Sequence, residues 1–172
     1  MRLIIVAVGK LRPYYREACD DYRRRLRRFA TIDEMEIREA ARLPEAQQRS
    51  READRLEERL SARATVIALA REGSMWTSDS FAAQLDTWLG AGKPLAFVIG
   101  GSHGLGDAVL RRATDRWSLG PLTLPHELAR VVAYEQLYRG FTILKGMPYH
   151  KGSAQVSGRS AQAGHARRRD RT

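Results

Sequence analysis

Three short, unbroken apolar runs constrain this chain more than anything else in it: LIIVAV at residues 3–8, ATVIALA at 64–70 and PLAFVI at 94–99. Runs of this length suit strands better than helices. Consecutive apolar residues require cover on both faces, which is the situation of a parallel sheet between two layers of helices. Between the runs the apolar spacing becomes helical. From Pro13, residues Ala18, Tyr22, Leu26 and Phe29 recur at steps of four, four and three. Ala53, Leu56 and Leu60 mark a second helix, on whose charged side Glu52, Arg55 and Arg59 can pair. Phe81, Leu85, Trp88 and Leu89 mark a third, capped by Thr77 or Ser78 and ended by Gly90. A weaker alternation over 31–38 predicts another strand, with Met35 and Ile37 on one side. Residues 42–52 read as a loop or frayed helix start, and 71–76 as a loop. Asp107 is expected to cap a short helix reaching about Arg116. The fold class that follows is α/β, a mainly parallel sheet with helices on both faces.

Two stretches carry the candidate chemistry. Gly100-Gly101-Ser102-His103-Gly104 follows the third run, at a strand's carboxyl end, where open α/β sheets bind ligands. The stretch matches neither the dinucleotide fingerprint nor the Walker loop. The second is LGPLTLPHELARVVAYEQLYRG, residues 119–140. Trp117 to Leu124 reads as a last strand or extended loop, broken by Gly120-Pro121. Pro125 then suits the start of a helix from about His126 to Leu144, leaving unpaired backbone amides at the corner. That helix is apolar around much of its circumference, so it either sits centrally or packs against a second subunit; we expect a dimer. Its charged residues Arg130, Glu135 and Arg139 are expected to be paired or functional.

The formal net charge is +10, about half of it in 151–172. A balance of this kind points to a polyanionic partner, most simply nucleic acid. Arg23, Arg24, Arg25, Arg27 and Arg28 crowd one helix face, and Tyr14 and Tyr15 precede them, although most of these arginines suit an ordinary solvated surface. Cys19 stands alone, so no internal disulfide forms, as expected of a reducing cytosol. No run reaches membrane-spanning length, and no spacing of His and Cys suits a metal. Residues 152–172 lack apolar periodicity and are expected to form a disordered basic tail after a domain of 1–151.

IVAVGKL, FVIGGSHGL, LTLPHELARVVAYEQLYRGFTILKG and PYHK together resemble the ribosomal large-subunit pseudouridine N3-methyltransferases of the SPOUT, or α/β-knot, superfamily. The resemblance spans residues 1–151. It implies a homodimeric cytoplasmic enzyme that uses S-adenosylmethionine, with no metal and no membrane, to methylate N3 of a pseudouridine in 23S rRNA of the assembled ribosome. It also implies a C-terminal trefoil knot that holds the cofactor. Carried over residue by residue, the cofactor contacts fall on Leu69, Gly100, Leu119, Gly120, Pro121, Leu122, Thr123 and Leu124. Pro121 lacks an N–H, so any contact there uses its carbonyl or ring.

Transfer from a sulfonium depends on positioning and desolvation. The imino N3 must lose its proton, so a base or a cation near the developing anion helps. The candidates are His150 as base or orienting group, Tyr149 as stacking or hydrogen-bonding partner, and Arg139 for phosphate or developing charge. The tail bearing His150 is expected to close over the partner's site. His126 reads as a helix cap and Glu135 as a partner for an arginine. The alternatives are a non-catalytic ribosome- or RNA-binding module and a nucleotide-dependent oxidoreductase; the missing glycine fingerprint disfavours the latter.

Overall fold

A computed structural model describes residues 1–151; the expectation for 152–172 lies outside the described residues. Five strands form one wholly parallel sheet in the order β2-β1-β4-β3-β5. They are β1 (Arg2–Val8), β2 (Thr31–Ile37), β3 (Thr65–Ser74), β4 (Leu95–Ile99) and β5 (Asp115–Trp117). The helices are α1 (Pro13–Leu26), α2 (Glu45–Glu57), α3 (Ser78–Gly90), α4 (Asp107–Arg112) and α5 (His126–Leu144).

The apolar runs supply the central strands because both of their faces are covered. Leu3, Ile5, Ala7, Ile67, Leu95, Phe97 and Ile99 point into one core, with α1, α3 and α5. Ile4, Val6, Val8, Val66, Ala68, Ala96 and Val98 point into the other, with α2 and α4. This alternation is the period-two geometry of a strand. The first core holds the aromatics. Trp117 stacks on Phe81 with centroids 4.5 Å apart, Trp88 meets Trp76 edge-on at 5.6 Å, and Trp88 Nε1 donates to Asp115 at 2.6 Å.

Helix α5 lies against both α1 and α3, so most of its apolar circumference is covered within the single chain. Gly140 lets α3 approach: a Cβ there would stand 3.0 Å from the Leu85 Cδ2. The remaining half-buried side of α5 carries Leu128, Val132, Glu135 and Arg139.

Four local expectations are corrected. Helix α2 begins at Glu45, directly after the extended Pro44, where a loop or frayed start was expected. Glu52 is not on the solvated side: it is 1% exposed and accepts from the Ala40 N–H and Gln48 Nε2, each at 2.9 Å. Residues 71–74 continue β3 rather than looping, because Ser74 pairs with Trp117 beyond a register shift. Gly73 permits that approach, since a Cβ would sit 2.6 Å from the Arg116 carbonyl carbon. Finally, α4 stops at Arg112 and its cap position is Gly106, because the chain is needed at 115–117 as strand β5. Thr77 caps α3 as expected, accepting from the Ser80 N–H at 3.2 Å.

Candidate functional site

All five strands run the same way, so their carboxyl ends share one edge of the sheet. A cavity of about 630 Å³ opens there. It is walled by Leu69 to Glu72 after β3, Ile99 to Leu105 after β4, Arg116 to Gly120 at β5, and Leu122 to Leu124 before α5. Seven of the eight expected cofactor contacts line it: Leu69, Gly100, Leu119, Gly120, Leu122, Thr123 and Leu124. Pro121 does not; it is exposed on the outside of the turn. Its missing N–H therefore takes nothing from the cavity.

The sequence logic of the corner holds at atomic detail. The backbone N–H groups of Leu119, Leu122, Thr123 and Leu124 have no protein acceptor among the described residues. Gly120, at φ 119°, turns the loop and donates to Ser118 Oγ at 3.3 Å. Gly100 serves the loop's own closure: a Cβ would lie 2.4 Å from the Gly104 carbonyl carbon. Gly101 and Gly104 form an isolated bridge that shapes the same rim. Below it, Glu52 lies under Gly101, and Ser102 donates to Glu39 at 3.1 Å, so α2 and the segment after β2 anchor the loop.

Arg130 is the largest fully buried side chain. Its guanidinium donates to Glu36 at 2.6 Å, Glu34 at 3.3 Å, and the carbonyls of Val8 and Gly9 at 3.2 and 2.8 Å. Tyr134 donates to Glu34 at 2.9 Å, and Arg16 pairs with both carboxylates. This network fixes α5 to the ends of β1 and β2. Nearby, Glu127 accepts from the Arg12 backbone N–H at 2.7 Å and from its Nε at 2.8 Å. Burial pushes the Glu127 carboxyl up, but these hydrogen bonds and the Arg12 charge outweigh it and hold it below the ordinary carboxylate value.

The expected catalytic residues come together, but away from the cavity. Arg139 stacks on the Tyr149 ring, 4.8 Å from its centroid, and pairs with Glu135, as expected of that glutamate. Tyr149 donates to Glu135 at 3.1 Å, and burial together with that carboxylate raises its phenol, so it remains a donor at neutral pH. Hydrogen bonding to Glu135 keeps Arg139 firmly cationic. Arg139 Nη1 lies 3.3 Å from His150 Nδ1. A guanidinium only donates, so Nδ1 accepts and the imidazole proton sits on Nε2, 3.5 Å from Asp79 Oδ1. None of Arg139, Tyr149 and His150 lines the cavity.

His103 and His126, given no ligand role from sequence, both line the cavity, as do Trp117 and Ser118. The position of Trp117, immediately before the corner, was the available signal for it. Among the described residues no cluster of His, Cys, Asp or Glu could hold a metal ion, and no helix is long and apolar enough to cross a membrane.

A family model described as predicted SPOUT methyltransferase matches residues 1–150. The chain is 46% identical over 153 residues to the ribosomal RNA large subunit methyltransferase H of Anaeromyxobacter sp. (strain Fw109-5), covering 88% of this chain and 100% of that one. It is 48% identical over 154 residues to the protein of the same name from Rubrobacter xylanophilus, covering 87% and 98%. A solved structure, the SpoU methyltransferase AviRb from Streptomyces viridochromogenes in complex with AdoMet, is 12% identical, with a TM-score of 0.41 over 79% of this chain and 56% of that one.

Proposed function

The chain belongs to the SPOUT methyltransferase family, and on that premise we propose that it methylates N3 of a pseudouridine in 23S rRNA of the assembled ribosome, as a cytoplasmic homodimer using S-adenosylmethionine. The observation that carries this reading is the cavity at the ends of β3, β4 and β5, where free main-chain amides meet apolar walls. Its volume is that of a small-molecule site. Free N–H groups at Leu119, Leu122, Thr123 and Leu124 suit the ring nitrogens of an adenine, and Leu119, Leu122 and Leu124 suit its faces. Gly100 keeps the floor of the site close. A sulfonium held there would supply the methyl group for in-line displacement. The resemblance in the C-terminal segments extends the same proposal to a trefoil knot there.

The chain's own residues have the remaining tasks. Arg139 offers a fixed cation to a phosphate or to the charge that develops on the base as N3 loses its proton. Tyr149 remains protonated and can donate or stack. With Nδ1 occupied by Arg139, His150 is better placed to orient a partner through Nε2–H than to accept a proton. These three groups reach a cavity only if it belongs to the other protomer. The half-buried side of α5, with Leu128 and Val132 beside Glu135 and Arg139, supports such a pairing.

The test incubates the purified full chain with ribosomes lacking the modification and with labelled S-adenosylmethionine, then maps the label by mass spectrometry. Label on N3 of a large-subunit pseudouridine is expected. A protein that binds ribosomes but transfers no label would instead be a non-catalytic binding module.

A further inference from the structure

Tyr14 is the one aromatic among the large exposed side chains of the described residues, at 55% exposure. It stands on a prepared support. The Tyr14 and Tyr15 rings are 4.4 Å apart and tilted by 46°, and the Arg12 guanidinium lies 5.2 Å from both centroids. Arg12 is in turn gripped by the nearly buried Glu127. An arginine held at both backbone and side chain is fixed in its place over the Tyr14 ring, which still keeps 55% of its surface exposed. The ring is therefore presented with little conformational entropy left to lose on contact.

The position of this support matters as much as its form. Lys10 to Tyr15 follows β1, at the same edge of the sheet as the cavity. Glu127 adjoins His126, which lines the cavity, and His126 Nε2 would lie 3.2 Å from a Cβ placed on Gly9. We propose that Tyr14, backed by Arg12 and Tyr15, is a stacking platform for an unpaired base of the RNA substrate beside the methyl-transfer cavity. The proposal rests on the RNA-methyltransferase reading above.

RNA fits this surface better than a protein does. Stacking on an aromatic face is how single-stranded bases are held, whatever their sequence. The chain carries a net charge of +10, and Lys10 beside the platform is exposed and in no salt bridge among the described residues. The arginine-crowded side of α1 is the weaker competitor. Arg23 and Arg24 are paired with Asp20 and Asp21, and Arg25 shares Asp21, while Arg27 and Arg28 are exposed and in no salt bridge among the described residues; that face is charged, but it presents no exposed aromatic ring on which a base could stack.

The test compares the full-length parent with Tyr14→Ala and Tyr14→Phe. Three quantities are read: affinity for a short single-stranded oligoribonucleotide, KM for unmodified ribosomes, and the Kd for S-adenosylmethionine. Tyr14→Ala is expected to weaken oligonucleotide binding and raise KM by about 5- to 150-fold, the equivalent of ~1–3 kcal/mol per stacked base. Tyr14→Phe keeps the ring and should stay within about twofold on both. The Kd for S-adenosylmethionine should not move in either variant, which also shows that both are folded. An alanine variant that binds the oligonucleotide as the parent does overturns the platform. A loss confined to ribosomes means that Tyr14 meets a ribosomal protein, and overturns it too. So does a phenylalanine variant as weak as alanine, because the hydroxyl and not the ring would then be at work. Should the parent bind RNA through Tyr14 yet transfer no methyl group, the methyltransferase reading fails while the platform stands.

Discussion

Replacing Arg130 with Met tests whether the buried ion network holds the site together. The side chain is 0% exposed and donates to two carboxylates and two backbone carbonyls. Met fills similar volume without donors, so the change isolates the polar contacts. Removing one partner of a buried pair costs about 3–5 kcal/mol, because the other charge is left uncompensated. Here Arg16 remains on Glu34 and Glu36 is a quarter exposed, which favours the lower end, about 3–4 kcal/mol. For a domain of this size each kcal/mol moves Tm by about 2–4 °C, so a fall of about 6–16 °C is expected. Circular dichroism melts at fixed protein concentration measure it, since any self-association shifts Tm with concentration. Glu36→Gln keeps an acceptor oxygen for Arg130, and Glu34 keeps the countercharge, so it should lower Tm less than Arg130→Met does. A Tm for Arg130→Met within 2 °C of the parent would refute the reasoning, and would mean that Arg16 alone satisfies both glutamates.

Gly100→Ala should abolish S-adenosylmethionine binding, measured by calorimetry, while the circular dichroism spectrum stays that of the parent, because the added Cβ meets the Gly104 backbone. Cys19 is fully buried, and burial together with the Glu34 charge pushes its thiol up to about 12. At pH 8 it should alkylate with iodoacetamide only after unfolding, since a rise of that size leaves about a thousandfold less thiolate. The Glu127 carboxyl is held below its ordinary value, so the stability it gives is present above the unfolded carboxylate pKa and is lost as pH falls through the lower folded one. The Tm gap between the parent and Glu127→Gln should accordingly narrow below about pH 4; a gap that persists into stronger acid would show that Glu127 acts through shape alone.

Where burial is continuous the sequence is an open record. Runs 3–8 and 94–99 become β1 and β4 almost to the residue, and Pro13, Thr77 and Pro125 mark helix starts that the structure reproduces. The sharp turn into α5 was legible for a related reason: Gly120, Pro121 and Pro125 state backbone geometry directly, whereas a ligand role for that corner came only with the family resemblance. Side chains whose polarity contradicts their surroundings were harder. Glu52 looks like a surface charge by its neighbours, yet lies in the interior because a backbone N–H from Ala40, twelve positions away, needs an acceptor. The tail of β3 was hidden because its partner, β5, is three residues long and sits at the sheet edge. A usable hint for the Arg130 network was present in Glu34 and Glu36, two acids that share one face of β2 with the core-packed Ile32. A lone arginine in an apolar helix needs such acids within reach.

The clustering of aromatic side chains on one side of the sheet has an optical consequence. The chain has three tryptophans, and all belong to this cluster: Trp76 and Trp88 in edge contact, and Trp117 stacked on the Phe81 that touches both. Trp117 is also part of the cavity wall. Indoles this close exchange excitation, so the molecule's intrinsic emission comes from a coupled group one member of which, Trp117, belongs to the cavity wall. Occupancy of the cavity can then be followed by fluorescence in the unmodified protein, without a label and without turnover.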